Sequence, residues 1–163
     1  MTDVQFDVNN AKVRQHFLNH TLIDAIDSLT EQIQPLWGKM SAQHMVEHLT
    51  WAFELFTGKV EIHRDIDIPE NLVKKFLYNN NPTPHNFKNP VLNENPSPLR
   101  FSSLADSKSA LRRELKQFFE DVVDRPEAIH NHPLLGPLRT EEWERVHFKH
   151  CYHHLLQFGL IKD

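Results

Sequence analysis

The chain has 163 residues, a formal net charge of −4, twelve histidines and one cysteine. That length is enough for one domain with a sizeable core, here expected to span 1–163, and 39% hydrophobic with 25% charged residues is the balance of an ordinary soluble globular chain. The acidic charge leaves no electrostatic footprint for nucleic acid, no apolar run approaches the ~20 residues of a membrane span, and one cysteine excludes an internal disulfide.

Only four glycines are present, which suits a helical chain better than a turn-rich β fold. The start, MTDVQFDVNN, has no basic region followed by an apolar core, so no signal peptide is read there and the cytoplasm is the expected location. From about Asn10 to Ile33, the residues Val13, Phe17, His20, Leu22, Ile26, Leu29 and Ile33 recur at three- and four-residue spacing, the pattern of an amphipathic helix, which Pro35 should stop. His16 and His20 lie one turn apart in it and read as a surface or edge pair. Gln34 to Lys39 is a connector whose Trp37 reads as an anchor between helices.

Ser41 should cap a second helix running to about Phe56 and closed by Gly58. At roughly 100° per residue, Ser41, His44, Met45, Ala52 and Leu55 cluster around His48, so His48 faces inward. Glu47 and Glu54 lie away from that centre, and His44, nearer the helix start, reads either as a residue supporting a ligand from behind or as one lining the pocket. Val60, Ile62, Ile66 and Ile68 fall on even positions and suggest an extended segment ended by Pro69. A short helix is expected from Glu70 to Tyr78. From Asn79 to Pro98 the sequence NNNPTPHNFKNPVLNENPSP is dominated by Asn and Pro, which excludes a continuous helix. It is long for an ordinary connection and should wrap the surface or cover a pocket, with His85 exposed. Ser103 or Asp106 should start the next helix, to about Val123, with Arg112 and Arg113 on a solvated face. Residues 124–138 read as a loop.

The last stretch, TEEWERVHFKHCYHHLLQFG from Thr140 to Gly159, reads as one helix. Thr140 suits the N-cap, Glu141 and Glu142 complement the helix dipole, and Gly159 suits the left-handed stop. On a helical wheel Trp143, His147, His150, Cys151, His154 and Phe158 share one stripe, while His153 falls off it. Imidazoles are thus directed toward the core, where each buried nitrogen needs a partner, and a metal ion satisfies several at once. Histidines at i and i+4 place two rings on one face about 6 Å apart, which suits one ion. The spacing is weak evidence alone: with twelve histidines in the chain, chance supplies roughly one such pair, and there are three, His16/His20, His44/His48 and His150/His154. Inward orientation favours His150/His154 and His48. His147 with Cys151 forms a rival Cys/His pair.

Three segments carry a family resemblance: WGKMSAQHMVEHL at Trp37–Leu49, KNPVL at Lys88–Leu92 and HPLLGPLRTEEWERVHFKHCYHHLLQFGL at His132–Leu160. In these the chain resembles the DinB/YfiT-like superfamily of metal-binding helical proteins, and within it the branch known as domain of unknown function 1569. The resemblance implies an all-α fold, a four-helix bundle with a long crossover loop, often as a homodimer. It implies three metal-ligand histidines, here matching His48 of the second helix and His150 and His154 of the last. Cys151 and Tyr152 depart from the pattern of the branch.

Three neutral histidines leave a coordination position open, as in catalytic zinc sites. Zn²⁺ is the first expectation and Ni²⁺ the second. Two classes of function follow. One is a metal-dependent hydrolase or thiol transferase, which the superfamily resemblance implies, acting on a small-molecule substrate, with a low-molecular-weight thiol as candidate partner. The other is a non-enzymatic metal-stabilised bundle or small-molecule binding protein.

Overall fold

The computed structural model describes residues 2–62, 67–89 and 92–163. Asn10 opens the first helical rod. Its side-chain carbonyl accepts from the Lys12 and Val13 N–H groups at 3.0 and 3.3 Å, pairing donors that a helix start leaves over. The rod has three parts: α1 (Ala11–His16), a π-helical turn (Phe17–Thr21) and α2 (Leu22–Ser28). The π turn inserts an extra residue into the helical repeat. Phe17 and Leu18 are consequently both buried, and the apolar face resumes at Leu22, Ala25 and Ile26. The helix expected to reach Ile33 ends at Ser28 instead. Leu29 turns extended, with ψ 131°, and still buries its side chain, so the rod stops well before Pro35. His16 and His20 are the exposed pair expected, with rings 5.0 Å apart.

Helix α3 spans Ala42–Thr57, α4 Glu70–Tyr78, α5 Leu104–Asp124 and α6 Thr140–Gln157. Gly58 closes α3 in the left-handed conformation, φ 73°. The Ser103 hydroxyl accepts from the Asp106 N–H at 3.1 Å and starts α5. Arg112 lies on the exposed side of α5, paired with Asp27. At α6 the cap is Arg139 rather than Thr140: the Arg139 N–H donates to Glu142 Oε2 at 2.8 Å. Thr140 is already helical, and its hydroxyl lies 3.3 Å from the Arg125 carbonyl it donates to.

Helix α3 packs along α5, with Phe53 and Phe56 edge-on to Phe118. Helix α6 runs through the middle, touching α1, α2, α3 and α4. It is buried well beyond the predicted stripe, leaving a half-buried line through Glu142, Val146, His150 and His153. Trp143, His147, Cys151 and Leu155 are buried, and so are Glu144, Arg145, Phe148, Lys149 and Tyr152. Glu144 and Arg145 on that second face are ion-paired and Lys149 donates to the Asn81 carbonyl at 3.3 Å: Arg14, itself 1% exposed, donates from Nε to Glu144 at 2.7 Å.

The fold is not the all-α four-helix bundle expected. The described residues form five helical rods, counting α1 to α2 as one, and four short strands: β1 (Thr2–Asp3), β2 (Ile129–His132), β3 (Gly136–Arg139) and β4 (Ile161–Lys162). Strands β2 and β3 make an antiparallel hairpin and β1 pairs with β4 in parallel. The segment read as a loop therefore contains a hairpin. Its four-residue strands are too short to show an alternating pattern, and contacts with other elements hold them. Trp143 Nε1 donates to the His130 carbonyl at 3.0 Å, and the His130 ring lies 4.3 Å from that of Phe56. The extended segment expected around Val60–Ile68 is no strand at Val60 or Ile62, and Ile66 lies outside the described residues, as do Pro90 and Val91 of the KNPVL stretch. The long connection between α4 and α5 stands, with neither helix nor strand among its described residues from 79 to 103. No helix among the described residues is long and apolar enough to cross a membrane.

Candidate metal centre

His48 enters the site from the middle of α3, whose start is fixed by a reciprocal cap. The Ser41 oxygen accepts from the His44 N–H at 3.2 Å, and the Ser41 hydroxyl donates to His44 Nδ1 at 2.7 Å. His150 and His154 enter from α6, one turn apart. The three rings meet through the same atom. His48 Nε2 lies 2.8 Å from His150 Nε2, and His154 Nε2 lies 3.1 Å from it. Among the described residues this is the one group of three or more His, Cys, Asp or Glu side chains that brings its donor atoms within 4.8 Å of one another. Tetrahedral Zn–N bonds of 2.0–2.1 Å set neighbouring nitrogens about 3.3 Å apart, so the donor set is nearly in place for one ion.

Proton bookkeeping points the same way. A ring N–H lies in the ring plane and points in one direction. A proton on His150 Nε2 can serve His48 or His154, not both, and two bare nitrogens at such distances repel. Protons on both outer Nε2 atoms would leave every ring neutral but would have to share the one in-plane lone pair of His150, and a better arrangement needs an imidazolium. Desolvation by the surrounding protein opposes that: it lowers His48 to about 4, and holds His150 and His154 well below 6.5, with mutual repulsion among the rings adding to the effect. A cation that accepts all three lone pairs resolves the conflict at neutral pH, and the three-histidine group can hold a metal ion.

The other histidines and the cysteine lie elsewhere. His153 faces the long loop, its Nδ1 3.3 Å from the Thr83 carbonyl. His147 is 1% exposed and stacks on Phe53 at 3.9 Å, with Phe118 edge-on at 4.9 Å. Neither of its nitrogens has a hydrogen-bond partner. Cys151 is fully buried, and burial pushes its thiol upward, which makes it an inert core residue. The rival His147/Cys151 pair acquires no third ligand among the described residues. Trp37 ties the connector both to α6, its ring edge-on to His153 at 5.8 Å, and to the long loop, where it stacks face-on with His85 at 3.7 Å. His85 is exposed yet held by this stack.

A cavity of about 330 Å³ opens on His48. Its walls include Met40, His44, Glu47, Trp51 and Arg100, and residues 92–98 of the long loop close one side. His44 thus lies in the wall as its position suggested. Glu47 was set aside on the helical wheel, yet it holds the end of that loop. Its carboxylate accepts from the Arg100 N–H at 2.7 Å, the Phe101 N–H at 3.2 Å and the Ser107 hydroxyl at 3.0 Å. Burial alone would raise its pKa, but these hydrogen bonds outweigh burial and lower it. Gln43, one turn earlier, also donates to it at 3.0 Å, but no local pattern marks its role, because the Arg100, Phe101 and Ser107 partners lie more than fifty positions away. A separate open depression of about 540 Å³ between α2 and α5, lined by Ile23, Leu115, Phe119 and Val123 among others, contains no histidine.

Gln157 also escaped the sequence reading. Its Oε1 lies 2.8 Å from His154 Nδ1, and its Nε2 donates to the Trp37 carbonyl at 2.9 Å. The one available signal is its place three residues after His154, on the same helix face.

No curated protein and no solved structure matches the chain. Residues 79–159 match the family described as Protein of unknown function (DUF1569), a match that takes in the long loop, His150 and His154 and supports placing the chain in that branch.

Proposed function

We propose that His48, His150 and His154 together bind one divalent metal ion, Zn²⁺ before Ni²⁺, and that the protein is a metal-dependent hydrolase or thiol transferase. The observation that carries the first half is the convergence of three Nε2 atoms, which neutral rings can pair only by sharing the single lone pair of His150. The second half is supported by the cavity beside His48, which leaves room for a small molecule next to the ion. A metal bound there would lower the pKa of a coordinated water toward ~7 or deprotonate a coordinated thiol. The chain's own residues supply the frame: three histidines hold the ion, Glu47 pins the end of the covering loop, and His44 and Trp51 line the approach. Cys151 is buried away from the cavity and does not compete as a nucleophile there. An external low-molecular-weight thiol or water is the attacking group on this reading. The resemblance to DinB/YfiT-like proteins points the same way.

The experiment is metal analysis followed by ligand titration. His150→Ala should bind far less metal than His153→Ala; equal contents would refute the ligand set. With Co²⁺ in the site, acetohydroxamate or a small thiol should change the visible absorption spectrum. A spectrum unmoved by thiols, carboxylates and hydroxamates alike means a closed site and a non-enzymatic, metal-stabilised fold.

A further inference from the structure

We infer that Gln157 is the positioning residue of this centre, fixing the tautomer of His154 so that a bare Nε2 faces the other two rings. A backbone carbonyl can only accept a hydrogen bond, so the Trp37 oxygen, 2.9 Å away, takes the NH₂ end of the Gln157 amide. The amide oxygen is then turned to His154 Nδ1 at 2.8 Å. An amide oxygen is likewise only an acceptor, so Nδ1 carries the proton. The remaining nitrogen, Nε2, presents its lone pair toward His150 Nε2 at 3.1 Å. The neighbouring hydrogen bond thereby decides which ring nitrogen is free to ligate.

The frame holding the amide is rigid at both ends. The Leu36 N–H donates to the Gln157 carbonyl at 2.7 Å, so the 36–38 segment is tied to the end of α6. Gly38 then passes so close that a Cβ on it would stand 2.6 Å from Gln157 Nε2. Gly38 also has φ +86°, a region that glycine enters freely. Both the conformation and the close approach demand glycine here, and the close approach is to the amide that orients His154.

The effect on metal affinity rests on the metal-binding reading above; the tautomer does not. The first measurement is nitrogen NMR of ¹⁵N-histidine-labelled, metal-free protein, which distinguishes protonated from bare ring nitrogens. Wild type should show His154 protonated on Nδ1. Gln157→Leu should lose that preference and bind Zn²⁺, in competition with a chelator, roughly 10- to 100-fold more weakly. Gln157→Glu keeps an acceptor for Nδ1 and should restore both. Gly38→Ala should weaken Zn²⁺ binding with every ligand and Gln157 intact. Gly58→Ala is its control: φ is +73° there, and nothing lies within 4 Å of the added Cβ, so backbone strain is matched without the contact. A His154 proton on Nε2 in wild type overturns the inference, and so does a Gln157→Leu variant that binds Zn²⁺ as wild type does. If wild type binds no metal yet carries the proton on Nδ1, the metal reading fails and the positioning stands.

Discussion

Replacing His147 by Phe isolates the part of the histidine chemistry that has nothing to do with a ligand. The ring sits 1% exposed between Phe53, Phe118 and Trp143, with both nitrogens unpartnered. Phe has nearly the same shape and no nitrogens to desolvate. At pH 7 the variant should gain something of the ~1–3 kcal/mol that an unsatisfied buried polar group costs, offset by any crowding from the slightly larger ring. The pH dependence is the sharper test. Burial first, and the nearby His132 second, lower His147 from 6.5 to about 3. Because the folded-state value is depressed, the unfolded chain takes up the proton first as pH falls. The stability tied to the neutral ring is complete above 6.5 and is lost from there down toward 3. The loss is about 1.4 kcal/mol per pH unit, hence about 2 kcal/mol between pH 7 and pH 5. Urea unfolding with a chelator present, at both pH values, measures it. His147→Phe should lose about 2 kcal/mol less than wild type over that interval, the other depressed histidines contributing equally to both proteins. Equal losses would refute the argument and imply that His147 is solvated or hydrogen-bonded in the folded protein.

Glu47→Ala should cost about 3 kcal/mol in urea unfolding at pH 7, because the Arg100 N–H, Phe101 N–H and Ser107 hydroxyl all lose an acceptor. Hydrogen exchange should accelerate at those two amides first. Glu47 has a lowered folded-state pKa, so its own contribution is present above 4.5 and fades as pH falls below that, the opposite end of the acid range from His147. Glu144→Ala leaves Arg14, 1% exposed, with only the longer Glu141 contact at 3.5 Å as its charge partner, and should cost about 3 kcal/mol by the same measurement. Zn²⁺ at a free concentration of a hundred times its Kd should raise the unfolding free energy by about 2.7 kcal/mol, and that increment should vanish in His150→Ala.

Periodicity, caps and breakers are local, and what they govern was legible in the sequence. Ser41 and Gly58 bound α3, Ser103 starts α5, and the Asn/Pro-rich run from Asn79 forms no helix among its described residues. Of the burial expected for the three histidines only that of His154 holds, His48 and His150 being half-buried, but the face shared by His150 and His154 was legible. That this face meets His48 was not: His48 and His150 are 102 positions apart, and the resemblance, not the spacing, joined them. The tertiary structure alone decided the rest. A π turn reset the phase of the first rod, which no period of 3.6 anticipates. The four-residue strands of the 129–139 hairpin are held by Phe56 and Trp143 rather than by their own pattern, and with them the expected four-helix bundle gave way. Arg14, Glu47 and Gln157 look like surface residues in a sequence. Each is buried and fully engaged because packing brought a distant partner to it: Glu144, the 100–101 backbone and the Trp37 carbonyl. Polar side chains are placed by their partners, and when those partners are remote in sequence only the folded chain brings them together.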